Sequence, residues 1–146
     1  MSLLPPQRGD VIRYAYLWAD ETARGREEGR KDRPAIVLAL SVLTDESRVR
    51  VLVVAVTHTP PRNAADAVPF PTDLKRSIGL DDRAAWIVTT EANAFSWPGP
   101  DVRPVPRRSP HTVIYGRIPE GLLRRIAESY LANRKRQKAP VVSRVD

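Results

Sequence analysis

The fold turns on residues 33–57, RPAIVLALSVLTDESRVRVLVVAVT. Residues 34–40 are an almost wholly apolar run of strand length, and 44–47 are turn material. Residues 48–57 begin by alternating and then become apolar on both faces, the pattern of a strand that runs from a sheet margin to its centre. Two such strands around a short polar turn form an antiparallel hairpin, in which facing positions have a constant sum. A turn over 43–47 centres on Asp45, so the sum is 90 and Arg33 faces Thr57, with Cα atoms about 4.5–5.5 Å apart. A β-bulge would shift this by one residue. Strand alternation puts Arg33 on the face of Ala35 and Val37, and Thr57 on that of Val49, Val51, Val53 and Ala55. His58 falls on the opposite face, with Arg48 and Arg50.

Working outward, residues 11–18 are rich in β-branched and aromatic side chains (Val11, Ile12, Tyr14, Tyr16, Trp18) and predict a strand. Residues 19–32 lose their apolar character, and charges crowd around Gly25 and Gly29, which predicts a mobile surface loop. After the hairpin, Pro60-Pro61 stops the chain; a short strand at 67–70 and a helical turn at 73–78 ended by Gly79 follow. Residues 84–92 read as a strand, 95–110 as a Pro-rich connection with an edge strand around 102–105, and 111–118 as the last strand. From Pro119 or Glu120 a helix carries Leu122, Leu123, Ile126, Tyr130 and Leu131 on one stripe and ends in Arg134-Lys135-Arg136. The expected class is mainly β (α+β): a strongly bent antiparallel sheet or barrel with a packed C-terminal helix.

Composition narrows the chemistry. The 146 residues suit one domain, read as 1–138 with 139–146 as a flexible tail. The absence of cysteine removes disulfides, Cys-based metal sites and a thiol nucleophile, and two histidines cannot build a His-rich metal centre. No apolar run approaches the length of a membrane span and no signal peptide is recognisable, so the expectation is a cytoplasmic protein without membrane contact. The net charge of +7 is unevenly spread: residues 103–146 hold 11 Lys/Arg against 3 Asp/Glu, a balance of +8. That end suits a polyanionic partner, or a solvated tail.

A guanidinium entering a small core at its rim, beside a hydroxyl and beneath a charged loop, is suited to an anion, because arginine offers a planar donor fork matched to phosphate oxygens. The alternative is a rim arginine paired with Asp32 or Glu91. Trp18 and Trp97 either stack on bases or pack in a core.

These residues carry a resemblance. Gly9-Asp10-Val11-Ile12, the polar loop, Arg33-Pro34-Ala35-Ile36-Val37-Leu38 and Val53-Val54-Ala55-Val56-Thr57 resemble the MazF/PemK family of toxin ribonucleases. Trp86-Ile87-Val88-Thr89-Thr90-Glu91, and Gly116-Arg117-Ile118 before an amphipathic helix, extend the likeness in order over residues 9 to about 133. The resemblance implies an SH3-like barrel, a homodimer, and sequence-specific cleavage of single-stranded RNA without metal or cofactor. In that family the 2′-hydroxyl attacks the adjacent phosphate and leaves a 2′,3′-cyclic phosphate, and a cognate acidic antitoxin is the protein partner. Arg33 matches the family's catalytic arginine and Thr57 its catalytic threonine; Glu27 or Glu28 matches an acidic position of the first loop. Arg30, Lys31, His58 and Trp18 join them as candidates to line the RNA groove. The general base stays open among His58, Glu27 and Glu28, with His58 read as a substrate contact or a plain surface histidine rather than the base because of its strand face. The segments around 58–61, 92–95 and 95–100 depart from the family pattern. The second reading is a non-catalytic module on the same fold, a CcdB-type gyrase poison or a nucleic-acid binder.

Overall fold

A computed structural model describes residues 3–20, 31–43, 48–136 and 140–144. Its centre is the hairpin of β1's two neighbours in sequence: β1 (Asp10–Tyr14) pairs with β2 (Arg33–Leu43), and β2 pairs with β3 (Arg48–Thr57), both antiparallel. Next come a short 3-10 turn (Ala64–Asp66), β4 (Ala67–Phe70), the helical turn α1 (Thr72–Ser77), β5 (Ala85–Val88), β6 (Ala92–Ser96) and β7 (Ile114–Arg117). The chain closes with α2 (Glu120–Lys135) and β8 (Val141–Ser143). The sheet is antiparallel except where β8 joins β6 in parallel.

The free edge of β3 is divided between two partners. Arg50 to Val53 pair with β6, whereas Val56 and Thr57 pair with β5, which in turn pairs with β4. A strand that changes partners within ten residues cannot lie in a flat sheet, and the result is a strongly curled half-barrel. Both faces of β2 and β3 are therefore covered. Ile36, Leu38, Val54 and Val56 pack against α2 through Leu122, Leu123, Ile126 and Tyr130. Ala35, Val37, Val51, Val53 and Ala55 form a second core with Ile12, Tyr14, Tyr16 and Phe95.

Near the turn the hairpin sum is 91 (Leu43 opposite Arg48, Ala39 opposite Leu52) rather than the expected 90. A register shift between Val37 and Ala39 restores 90 for Val37–Val53, Ile36–Val54 and Ala35–Ala55. The interruption is held by the leader: Gly9 N–H donates to the Val37 carbonyl at 2.8 Å and Arg8 Nε to the Leu38 carbonyl at 3.1 Å. Gly9 sits at φ +89°, a region that costs an L side chain strain.

Several expectations need correction. The first strand ends at Tyr14; residues 15–18 stay buried or half-buried through Asn93, whose amide exchanges bonds with Leu17 N–H (2.9 Å) and C=O (2.8 Å). The strand expected at 84–92 is β5 alone; β6 starts at Ala92 and runs to Ser96, into the stretch read as a connection, and the two serve different stretches of β3. The edge strand at 102–105 reduces to one bridge, Val102 to Tyr14. Leu131 is 57% exposed, and the position that continues the buried stripe is Asn133. Its amide donates to Ala65 O, Thr89 O and Thr89 Oγ1 at 3.0–3.1 Å, a polar anchor that hydrophobic periodicity passes over. Within the expected tail, 139–146, residues 141–143 form β8 and Arg144 is buried. Arg144 makes a 2.9 Å ion pair with Asp101 and donates to Ala15 O at 2.7 Å and Asn93 Oδ1 at 3.1 Å, which holds the segment down. Among the described residues no helix is long and apolar enough to cross a membrane.

Candidate functional site

Arg33 opens β2 and Thr57 closes β3, two residues beyond the last hydrogen-bonded pair, Ala35–Ala55. Extending that register sets the two opposite each other at the sheet end, on the face that continues the second core. Pro34 has no N–H to give to the ladder, and pairing of β2 with β3 ends at Ala35–Ala55, while β1 still pairs with Arg33 and β5 with Thr57. Arg33 and Thr57 line the same depression, about 470 Å³, together with Trp18, Lys31, His58 and Arg83.

The arginine is held over a built surface. Its Cζ lies 4.9 Å above the Trp18 ring, and Trp18 meets Tyr16 edge-on at 4.9 Å between centroids. A guanidinium over an indole gains a cation–π attraction that helps fix its position at the groove. Tyr16 reaches Glu91 Oε1 at 3.4 Å, and the same oxygen accepts Ala19 N–H at 2.9 Å. Burial, and then the Glu91 charge, push the Tyr16 hydroxyl well above its ordinary range, so it remains a proton donor and Glu91 serves as a structural acceptor. Asp32, adjacent in sequence to Arg33, lies 3.4 Å from Arg13 and 3.5 Å from Arg103. Thr57 Oγ1 accepts Thr59 N–H at 3.2 Å, which fixes the rotamer and leaves the hydroxyl proton available to donate.

A second cavity of about 740 Å³ adjoins the first and shares Lys31, Arg33 and His58 with it. Its wall contains Lys75, only 1% exposed, whose ammonium donates to Asp81 Oδ1 at 3.0 Å and to the Arg83 carbonyl. Asp81 also accepts Arg83 N–H at 3.0 Å and faces His58 Nε2 at 3.1–3.2 Å. Partial burial raises the Asp81 carboxyl, but the bonds from Lys75, Arg83 N–H and His58 outweigh it, and the net effect is below the ordinary aspartate value of 3.8.

Of the residues singled out from sequence, Arg33, Thr57, Trp18, Lys31 and His58 meet at this end of the sheet. Glu27, Glu28 and Arg30 lie outside the described residues. Trp97 packs against the second core and donates to Leu3 O at 3.3 Å. Sequence reasoning missed Lys75 and Asp81. The available signal was a lysine between Leu74 and, three residues on, Ile78 in a short helix, followed by the turn Asp81-Asp82-Arg83. Among the described residues no group of three or more His, Cys, Asp or Glu side chains is arranged to hold a metal ion. No protein-family model matches the chain, and no curated protein sequence matches it significantly.

Proposed function

We infer that the chain is an endoribonuclease of the MazF/PemK kind, built on an SH3-like barrel, that cleaves single-stranded RNA by internal attack of a 2′-hydroxyl. The observation that carries this reading is the pairing of Arg33 with Thr57 at the mouth of one depression, with cations on its rim and an aromatic floor. Attack on the phosphate builds negative charge on its non-bridging oxygens, and a preorganised guanidinium stabilises charge where it develops. Thr57 donates to the same phosphate and holds it in line with the attacking oxygen. Trp18 lines the groove where a flanking base would lie, and Lys31 and Arg83 meet the backbone phosphates. Products are a 2′,3′-cyclic phosphate and a free 5′-hydroxyl, and on this reading neither metal nor cofactor takes part.

The exposed cations of α2 and its C-cap, among them Arg124, Arg125, Arg134, Lys135 and Arg136, lie apart in sequence from this chemistry and give an acidic antitoxin segment a docking face. The reading includes a homodimer and a cytoplasmic setting, as in toxin–antitoxin pairs. The test is incubation of purified protein with RNA in EDTA. Cleavage that is lost in folded Arg33→Ala and Thr57→Ala variants is the expected result. RNA left intact by the wild type refutes the reading, and salt-dependent binding without cleavage, unaffected by Arg33→Ala, would mark a binding module instead.

A further inference from the structure

The reaction proposed above needs a group to take the proton from the 2′-hydroxyl, and arginine, charged at any working pH, is a poor one. Strand alternation sends residue 58 to the face opposite Thr57, the place of a substrate contact or a plain surface histidine. But β3 ends at Thr57 and His58 lies in a bend, where alternation no longer applies. The imidazole lines both cavities and shares the smaller one with Arg33 and Thr57.

Its protonation pattern follows from its partner. A carboxylate only accepts, so the ring nitrogen 3.1 Å from Asp81, Nε2, carries the hydrogen, and the neutral ring keeps a lone pair on Nδ1. Asp81 is not a casual neighbour. It is clamped by Lys75 at 3.0 Å and by Arg83 N–H at 3.0 Å, and Lys75 is buried, so the carboxylate is fixed before any substrate arrives. The charged groups around the imidazole are Asp81 itself, Asp20, Lys31, Arg33 and Arg83 along the smaller cavity, and Lys75 behind Asp81.

We propose that His58 is the proton acceptor of the cleavage site, with Asp81 as the positioning residue that fixes its tautomer. This rests on the RNA-cleavage reading. Nδ1 takes the 2′-hydroxyl proton as the O2′–P bond forms, and the P–O5′ bond breaks. The departing O5′ takes a proton from water, and the resulting hydroxide takes the proton from His58, so the net transfer is from O2′ to O5′. The Lys75–Asp81–His58 series joins α1, the α1–β5 turn and the end of β3 into one proton-handling unit beside Arg33.

The test is single-turnover cleavage of a labelled single-stranded RNA oligonucleotide by wild type, His58→Ala and Arg33→Ala, with and without added imidazole. His58→Ala is expected to slow cleavage by about 10²–10⁴-fold with an unchanged melting curve. Imidazole restores part of that rate and does nothing for Arg33→Ala. Asp81→Asn is expected to lower kcat with KM unchanged, because its amide can offer Nε2 a donor and favour the wrong tautomer; an unchanged kcat removes Asp81 from the unit. A His58→Ala rate equal to wild type, or a loss that imidazole does not touch, overturns the proposal while wild-type cleavage leaves the RNA reading standing. Failure of the wild type to cleave takes down both.

Discussion

Replacing Arg144 by alanine removes a side chain that is 1% exposed, just beyond β8. Its Nη2 sits 2.9 Å from Asp101, itself 10% exposed at the side chain, and Nη1 donates to Ala15 O and Asn93 Oδ1. The variant leaves the Asp101 carboxylate without its cation and takes a donor from each of two buried acceptors. Breaking one side of a buried pair costs about 3–5 kcal/mol. The Arg76–Asp82 pair is just as short, 2.8 Å, but 60% and 71% exposed, and such a pair contributes about 0–1 kcal/mol. For a chain near this length each kcal/mol is worth about 2–4 °C, so Arg144→Ala should lower Tm by about 6–20 °C and Arg76→Ala by only a few degrees. Urea and thermal unfolding at neutral pH measure both. Equal, small losses in the two variants would refute the anchoring of 140–144 and return that segment to the tail expected from its composition. The consequence reaches the site, because Ala15 belongs to the segment that carries Trp18 beneath Arg33, and Asn93 of β6 holds that segment at Leu17.

Two further predictions concern the frame around the cavities. Gly116→Ala should cost about 1–3 kcal/mol in urea unfolding, since an added Cβ would meet Ile78 Cγ2 at 2.4 Å and Cβ at 2.9 Å where α1 ends against β7. Asp81 should make stability acid-sensitive. Its carboxyl is held below the ordinary value in the folded chain, so the unfolded chain takes up the proton first as pH falls. Its contribution is full above the ordinary aspartate range and lost as pH drops through it; the gap in unfolding free energy between wild type and Asp81→Asn should close at low pH, and a gap that widens there would contradict this.

Much of the hairpin was legible because β-branched runs and a polar turn leave few alternatives, and β3 and β4 begin and end where their patterns do. The Arg33–Thr57 juxtaposition was reached partly by offsetting errors: the turn gives a sum of 91, and a register shift near Leu38, pinned by Arg8 and Gly9 far away in sequence, returns it to 90. The helix face was readable down to Tyr130, after which polar bonds from Asn133 rather than apolar burial set the contact. What stayed hidden depended on contacts between distant segments. β8 is a strand because β6 offers it an edge, and Lys75 is buried because Asp81 and the Arg83 carbonyl receive its ammonium. The strand face of His58 was not decisive, because β3 ends at Thr57 and alternation stops one residue before the imidazole that lines both cavities.

The most direct test of the central claim compares cleavage of one RNA strand with the same strand carrying a single 2′-deoxynucleotide on the 5′ side of the cut. If Arg33 and Thr57 stabilise attack by the neighbouring 2′-hydroxyl, wild type cuts the first strand to a 2′,3′-cyclic phosphate in EDTA and leaves the second whole. Cutting of the deoxy-substituted strand at the same bond, or equal cutting of the all-RNA strand by Arg33→Ala, would contradict the account.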